Sequence, residues 1–412
     1  LLYNNIMMMI KSGLPYTTIE QVLTPLLATV LPTPFQSLSP AERWMLDCVK
    51  LSLNGWGGVS PNPLVGAMVL NPQGKIIGTG WHAEAGKPHA EPVALESAGT
   101  IPHGSTLVVT LEPCNHWGKT PPCTRSIIQS GIQKVVVGCK DANPLVAGTG
   151  IEALRCAGIE VQTGVLEALC QQVNRAFFTR IQQNRPFVAL KWAQTLDGKL
   201  ATRQGHSQWI TAPPARTWVH GMRAGFDVLL TSASTVAADN PAFTCRQSDI
   251  LPVRPPVRVV LDTTLRLNPA HYQIFDTTLA PTWVIMGEGV SINKTHLETL
   301  KTKGVKVLSA ALNSTGCGLD LTDVLRVLHE AGIAKAWVEG GGKLTSAFLQ
   351  ANQLVDDVYA FISPKLLGDA SAIACFQQTN IPWKLPTGAN FSLFNVAHIG
   401  EDALLVLHRT KS

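Results

Sequence analysis

The chain is poor in charge. Only 15% of its 412 residues are charged, and 33 basic against 28 acidic residues leave a net charge of +5. That balance suits a small anionic substrate. With no run of five basic residues it falls short of a nucleic-acid footprint. Aromatics are scarce as well, at 6% with four tyrosines, which removes the stacking platforms that single strands require. No apolar run approaches the ~20 residues of a membrane-spanning helix. Val22 to Leu31 is short and carries Pro25. A basic leader with an Ala-x-Ala cleavage site is absent. Residues 1–38 are therefore expected to be a poorly ordered extension, with a degenerate transit peptide as the alternative, and the protein is expected to be cytoplasmic. Nine cysteines, an odd number spread along the chain, do not make a disulfide framework. No Gly-x-Gly-x-x-Gly follows a strand, so a Rossmann fold is not indicated.

Against these absences stands a well-filled composition, 45% hydrophobic, long enough for two domains or three. Ser39-Pro40-Ala41-Glu42 offers an N-cap, a proline at the first helical position and a carboxylate at the third. Strands are expected at 65–70, 76–81, 106–111 and 135–138. Helices are expected at 89–98, 123–130, 150–157 and 165–183. Asn184-Arg185-Pro186 marks a boundary, giving domains at 39–184 and 185–412. Beyond it, strands at 187–193, 228–231, 257–261, 283–286, 305–308, 336–339, 355–362 and 403–407 alternate with helices at 213–224, 321–331 and 343–351. That alternation is the signature of α/β layers.

The chemistry concentrates in Pro88-His89-Ala90-Glu91, Glu112-Pro113-Cys114 and Pro122-Cys123. One imidazole and two thiolates, His89, Cys114 and Cys123, make a three-ligand zinc site with its fourth position open to water. Glu91, two residues past the histidine, is placed to shuttle protons. These are the parts of the zinc nucleobase deaminases, with one difference: eight residues separate the cysteines instead of two. Both His89 and Cys123 are expected to open helices, whose N-termini favour the thiolate at Cys123. A closed structural zinc knuckle is the competing reading. It needs a fourth protein ligand, for which His116 is the nearby candidate, and it leaves Glu91 without a purpose. In the second half, Glu339-Gly340-Gly341-Gly342-Lys343 joins a strand to a helix. Such a turn lets phosphate approach the backbone, although a plain strand–turn–helix is as consistent with it.

The spacer Asn115-His116-Trp117-Gly118-Lys119-Thr120-Pro121-Pro122 resembles that of the bifunctional riboflavin-biosynthesis deaminase/reductase family. Pro61-Asn62-Pro63-x-Val65-Gly66 and the Asp141-Ala142-Asn143-Pro144 segment are similar to that family too. So are Lys191 to Lys199, Ser207-Gln208-Trp209-Ile210-Thr211 and Thr235 to Arg246. The resemblance implies an N-terminal cytidine-deaminase-like three-layer α/β/α domain and a C-terminal dihydrofolate-reductase-like α/β domain. It implies one zinc per deaminase domain, NADPH, a phosphorylated pyrimidine substrate, no nucleic-acid or membrane partner, and a homo-oligomer (dimer or tetramer).

In the deaminase half it implies that Asn62, His82, His116 and Lys119 contact the pyrimidine or its ribosyl phosphate. From the residues alone, Lys119 is also readable as a solvated lysine and His82 as a buried packing residue. In the reductase half it implies that Ser207, Arg223, Phe243, Arg246 and Glu339 hold the substrate. Lys191 and Asp239 are candidates for polarising the reacting carbon. Ala193, Trp209, Thr235, Asp239, Thr263 and the run Gly341, Gly342, Lys343, Leu344, Thr345, Ser346 and Ala347 would line the cofactor. Two positions depart from the family pattern: Pro92-Val93 stands where Val-His is usual, and Ala67 where a cysteine is common. A cytidine or tRNA-adenosine deaminase would show Cys-x-x-Cys, which is absent here. A non-catalytic zinc scaffold would have lost Glu91 or the glycine turn.

Overall fold

The computed structural model describes residues 38–118, 121–143, 146–246, 254–376 and 391–410. Of the extension expected over 1–38, only Leu38 is among them. The described residues divide at Asn184/Arg185 into two compact units.

The first unit runs α1 (Pro40–Ser52), β1 (Gly66–Leu70), β2 (Ile76–Trp81), α2 (Ala90–Ala98), β3 (Thr106–Leu111), α3 (Cys123–Ser130), β4 (Lys134–Cys139), α4 (Thr149–Cys156), β5 (Glu160–Thr163), α5 (Glu167–Val173) and α6 (Arg175–Gln183). The strands order as β2-β1-β3-β4-β5. β1 is antiparallel to both neighbours, and β3, β4 and β5 are parallel. α1 and α5 cover one face, while α2, α3 and α4 stack along the other. The Val135-Val136-Val137 run fits a strand covered on both faces, and all three are essentially buried. The capping box at α1 forms as expected, Ser39 receiving the Glu42 N–H while the Glu42 carboxylate takes the Ser39 N–H.

Two glycines set the geometry near the three candidate metal ligands. A Cβ on Gly80 would lie 2.5 Å from the Ala90 carbonyl oxygen, and one on Gly150 would lie 2.0 Å from that of Pro113. Close approach is therefore possible only without a side chain, and it seats the start of α2 and the segment before Cys114. Pro92 falls in the first turn of α2, where its missing N–H has no partner to lose.

The helix expected over 165–183 is instead two helices broken at Asn174. That residue is buried, and its amide accepts from Leu64 N at 2.8 Å and donates to Leu64 O at 2.9 Å. A side chain that pairs both backbone groups of a distant residue outweighs helix continuity. β5 was not foreseen, being a short exposed edge.

The second unit runs β6 (Phe187–Thr195), β7 (Lys199–Ala201), α7 (Pro213–Arg223), β8 (Val228–Ser232), α8 (Ala233–Asp239), β9 (Val257–Leu261), β10 (Thr282–Gly287), α9 (Lys294–Thr302), β11 (Lys306–Ala310), α10 (Leu321–Glu330), β12 (Lys335–Glu339), α11 (Gly342–Gln350), β13 (Asp357–Ser363), β14 (Ile373–Ala374), β15 (Phe391–Ile399) and β16 (Asp402–Arg409). Nine strands order as β11-β10-β9-β8-β12-β6-β13-β16-β15, and β7 pairs with β14 apart from them. β11 to β13 are parallel, and the β16–β15 hairpin closes the sheet antiparallel. Helices α8 and α9 and strand β15 had no counterpart in the sequence reading. β15 is an edge strand with several exposed residues, so it lacks a clean alternation.

Arg185 enters this unit through a buried fork onto Asp356, at 2.6 and 2.8 Å. Trp337, Tyr359, Trp218 and Phe361 form an aromatic layer, with ring centroids 5.2 to 5.9 Å apart. Among the described residues no helix is long and apolar enough to cross a membrane.

Candidate active sites

The donor atoms of His89, Cys114 and Cys123 lie within 4.8 Å of one another. His89 Nδ1 stands 3.2 Å from Cys123 Sγ and 3.6 Å from Cys114 Sγ. Tetrahedral zinc holds nitrogen at ~2.0 Å and sulfur at ~2.3 Å, which places N and S about 3.5 Å apart. The donors therefore fit that ion in type and spacing. His89 is the N-cap of α2 and Cys123 the first residue of α3, as the sequence suggested. The benefit of the α3 terminus falls on the other thiol, however: Cys123 N–H donates to Cys114 Sγ at 3.4 Å. A hydrogen bond between the two thiols, joined by one from His89, brings the Cys114 thiol down to about 4, and the same thiol–thiol bond pushes Cys123 up.

Glu91 is buried at 3% exposure. Burial, with the neighbouring Cys114 charge adding, raises its carboxyl to about 7. A carboxyl balanced near neutrality can both take and give a proton.

His82 is committed within the protein at both ring nitrogens. Nδ1 lies 3.0 Å from the Pro88 carbonyl and so donates, and Nε2 lies 3.0 Å from Asn62 Nδ2 and so accepts. Its ring meets that of His89 edge-on, centroids 5.3 Å apart. His82 therefore fixes which way the Asn62 amide faces. Burial lowers its pKa, in keeping with a neutral ring. His116 is exposed on the spacer, and Lys119 lies outside the described residues. Ala67 is fully buried in β1.

Glu112 was part of the sequence motif but was given no role there. It is buried, and its carboxylate accepts four backbone N–H groups: Asp141 and Gly148 at 3.2 and 3.0 Å, Gly150 and Ile151 at 3.0 and 3.2 Å. Two residues before Cys114, it ties that ligand to the loop and helix of 141–151. Its one sequence signal is a glutamate held directly against Pro-Cys.

In the second unit, a cavity of about 760 Å³ opens where the C-terminal ends of β6, β8 and β12 meet, the usual place for a ligand in an open α/β sheet. Lys191, Ala193, Ser207, Trp209, Arg223, Thr235, Asp239, Phe243, Arg246, Glu339, Gly341, Gly342 and Lys343 all line it. Thr263 and the later residues of the expected run do not: Leu344, Thr345 and Ser346 are buried, and Ala347 is half-buried. The helix turns those side chains inward, and only its first residues meet the cavity.

Glu339 is the charged hub. Arg223 Nε and Nη2 reach its two oxygens at 2.7 and 2.9 Å, Lys191 Nζ lies at 3.5 Å, and Trp337 Nε1 donates as well. Burial alone would push this carboxyl up. The Arg223 and Lys191 charges and the hydrogen bonds win, holding it well below the carboxylate range. Arg223 is thus engaged by Glu339, with Nη1 on the Thr244 carbonyl at 3.2 Å, where the resemblance had implied a substrate contact. Gly341 N–H donates to Thr235 Oγ1 at 3.1 Å, and a Cβ on Gly341 would approach only that oxygen, at 3.9 Å. His220 also lines the cavity and had not been singled out.

Residues 38–139 match the model for the cytidine and deoxycytidylate deaminase zinc-binding region, and residues 186–405 that for the RibD C-terminal domain. The riboflavin biosynthesis protein RibD of Aquifex aeolicus is 41% identical over 369 residues, covering 89% of this chain and 98% of that protein. The chain belongs to the RibD family. The RibD of Escherichia coli K12 is 36% identical over 89% of this chain and 98% of its own length. Among solved structures, Acinetobacter baumannii RibD is 34% identical with a TM-score of 0.79, covering 90% of this chain and 99% of that one. A Thermotoga maritima diaminohydroxyphosphoribosylaminopyrimidine deaminase/5-amino-6-(5-phosphoribosylamino)uracil reductase is 38% identical with a TM-score of 0.76 over the same shares. RibD relatives are named as riboflavin-biosynthesis proteins, and this chain is a bifunctional deaminase/reductase of that kind with a zinc-binding deaminase domain.

Proposed function

We propose that the chain carries out two successive steps of riboflavin biosynthesis, its domains being the deaminase of 39–184 and the reductase of 185–412. The first hydrolytically deaminates 2,5-diamino-6-(5-phosphoribosylamino)pyrimidin-4(3H)-one. The second reduces the product with NADPH to 5-amino-6-(5-phosphoribitylamino)uracil. The observation that carries this reading is the pairing, in one chain, of a His-Cys-Cys donor set beside a buried glutamate with a cavity built on Glu339 and the glycine turn.

His89, Cys114 and Cys123 hold zinc, which when bound makes a nucleophilic water available near neutral pH. Glu91 takes one proton of the attacking water and passes it to the ring nitrogen, then takes the second from the hydroxyl newly added to the ring carbon and gives it to the departing amine. One C–N bond breaks, one C–O bond forms, and ammonia leaves. Asn62, oriented by His82, faces the pyrimidine, and His116 and Lys119 belong to the spacer that covers the ring and its sugar phosphate.

In the second unit NADPH, when bound, would be the source of the hydride that reduces C1′ of the ring-opened sugar imine. Thr235 steadies the turn at Gly341, whose bare backbone leaves room for a phosphate beside Gly342 and Lys343. Ala193, Trp209 and Asp239 complete the cofactor wall. Arg246, Ser207 and Phe243 hold the substrate, with the phosphate on Arg246, whose guanidinium presents paired donors. Lys191 stands at the head of the cavity to polarise the reacting carbon and return a proton to the amine nitrogen.

The test is to supply the diaminopyrimidine with NADPH and follow ammonia and nicotinamide absorbance together. Ammonia release followed by stoichiometric NADPH oxidation is expected. Ammonia without oxidation would leave a deaminase alone.

A further inference from the structure

Pro241 to Arg246 leaves α8 without regular structure and forms one wall of the reductase cavity. Asn240 and Phe243 take φ of 40° and 53°. Residues with a Cβ hold the left-handed region only where surrounding groups fix it. Four side chains do so here. Arg258, fully buried, donates to the Ala242 carbonyl at 3.0 Å. Gln273 donates to the Asn240 carbonyl, and Arg223 to that of Thr244 at 3.2 Å. The fourth is His220 on α7, whose Nδ1 accepts the Arg246 N–H at 3.2 Å.

Of these four, His220 alone bonds Arg246 itself. Accepting a backbone N–H requires an unprotonated Nδ1. Burial, with the Arg223 charge adding, pushes the imidazole down to about 3 against a hydrogen bond to the Thr244 backbone, in keeping with a neutral ring whose Nδ1 accepts the Arg246 N–H. The imidazole is 6% exposed, packed against the wall it supports. A backbone amide held in this way fixes where the following side chain starts, and a guanidinium that must meet phosphate through paired donors tolerates little error in that start.

We infer that His220 is a positioning residue of the reductase: by fastening the Arg246 amide it aims the Arg246 guanidinium at the anionic end of the substrate. The inference rests on the assignment of Arg246 to the substrate phosphate. A neutral acceptor at this point is what matters, so a residue that keeps one should serve. Asparagine presents Oδ1 close to the place of Nδ1, whereas leucine and phenylalanine present none.

The experiment uses the full chain with the deaminated ribosylaminouracil phosphate and NADPH. His220→Leu and His220→Phe should each raise KM for that substrate roughly tenfold, the scale of one well-placed hydrogen bond. Their kcat and their NADPH affinity should stay within about twofold of wild type, and His220→Asn should bring KM back to within about threefold. Arg246→Ala should raise KM by a similar factor, and adding His220→Leu to it should cost little more. A raised KM in Arg246→Ala with fully additive His220→Leu would overturn the positioning role alone. So would His220→Asn behaving like His220→Leu. An unchanged KM in Arg246→Ala would sink the phosphate assignment and this inference with it. Should the leucine variant fail to fold, the phenylalanine and asparagine pair decides the matter in the same way.

Discussion

At the deaminase centre, two thiols and a buried carboxyl gather around a single imidazole. In the reductase cavity, one carboxylate is met by an arginine, a lysine and an indole N–H. The first cluster carries more acid than base, and bringing thiolates together is favourable only with a cation of the kind its spacing fits. In the second the carboxylate is fully paired by its own neighbours, with one positive charge left over. One site is completed from outside, while the other is rigid before any ligand arrives. Damage to the first should therefore register in chemistry and metal content. Damage to the charge hub of the second should register in stability as well.

The sharpest break is Glu91→Gln, which keeps shape and donor set while removing the proton shuttle. Ammonia release should fall by about a hundredfold or more, with zinc content by elemental analysis unchanged and NADPH oxidation of supplied intermediate intact. A mutant that still deaminates normally would detach Glu91 from the role. Next comes Arg223→Met, which strands Glu339 in a buried setting beside Lys191. Denaturant unfolding should show the reductase unit weakened by about 3 kcal/mol, while deamination continues. Little loss would mean that the fork is dispensable and the contrast between the sites overstated. The smallest effect expected is that of Glu112→Gln, whose amide nitrogen would confront backbone N–H groups that now find a carboxylate oxygen. A loss of about 2 kcal/mol from the deaminase unit is expected, accompanied by weaker zinc retention on chelator titration, because Cys114 is two residues away.

The metal donors were readable in the sequence because each sits in a short string, at the start of a helix or just after a strand, where residue type and spacing together mark a candidate ligand. The sheet-forming runs were readable for a similar reason: Val135 to Val137 can only be a covered strand. What the sequence hid depends on distance along the chain. Glu112 finds its four amides at 141–151. Glu339, Arg223 and Lys191 come from β12, α7 and β6, so their mutual neutralisation follows from the order of the sheet and from no local pattern. His82 was recognised but its task was not, since both of its partners, Asn62 and Pro88, are known only once the turns are built. Along α11, the glycine turn was found while the inward roll of Leu344 and Thr345 was not, because periodicity gives a face without saying where the cavity ends.

Asn174 has a consequence for how this protein is made. All three metal-ligating residues and Glu91 precede it in the chain, so on the ribosome the ligands emerge first. The bracket on Leu64, which secures the segment carrying Asn62 as it enters β1, can close only after the helix pair that flanks Asn174 has been synthesised. A nascent chain stopped before that point owns the His89, Cys114 and Cys123 donors and an unfastened Leu64 segment. The order of translation therefore places synthesis of the donors before closure of the bracket.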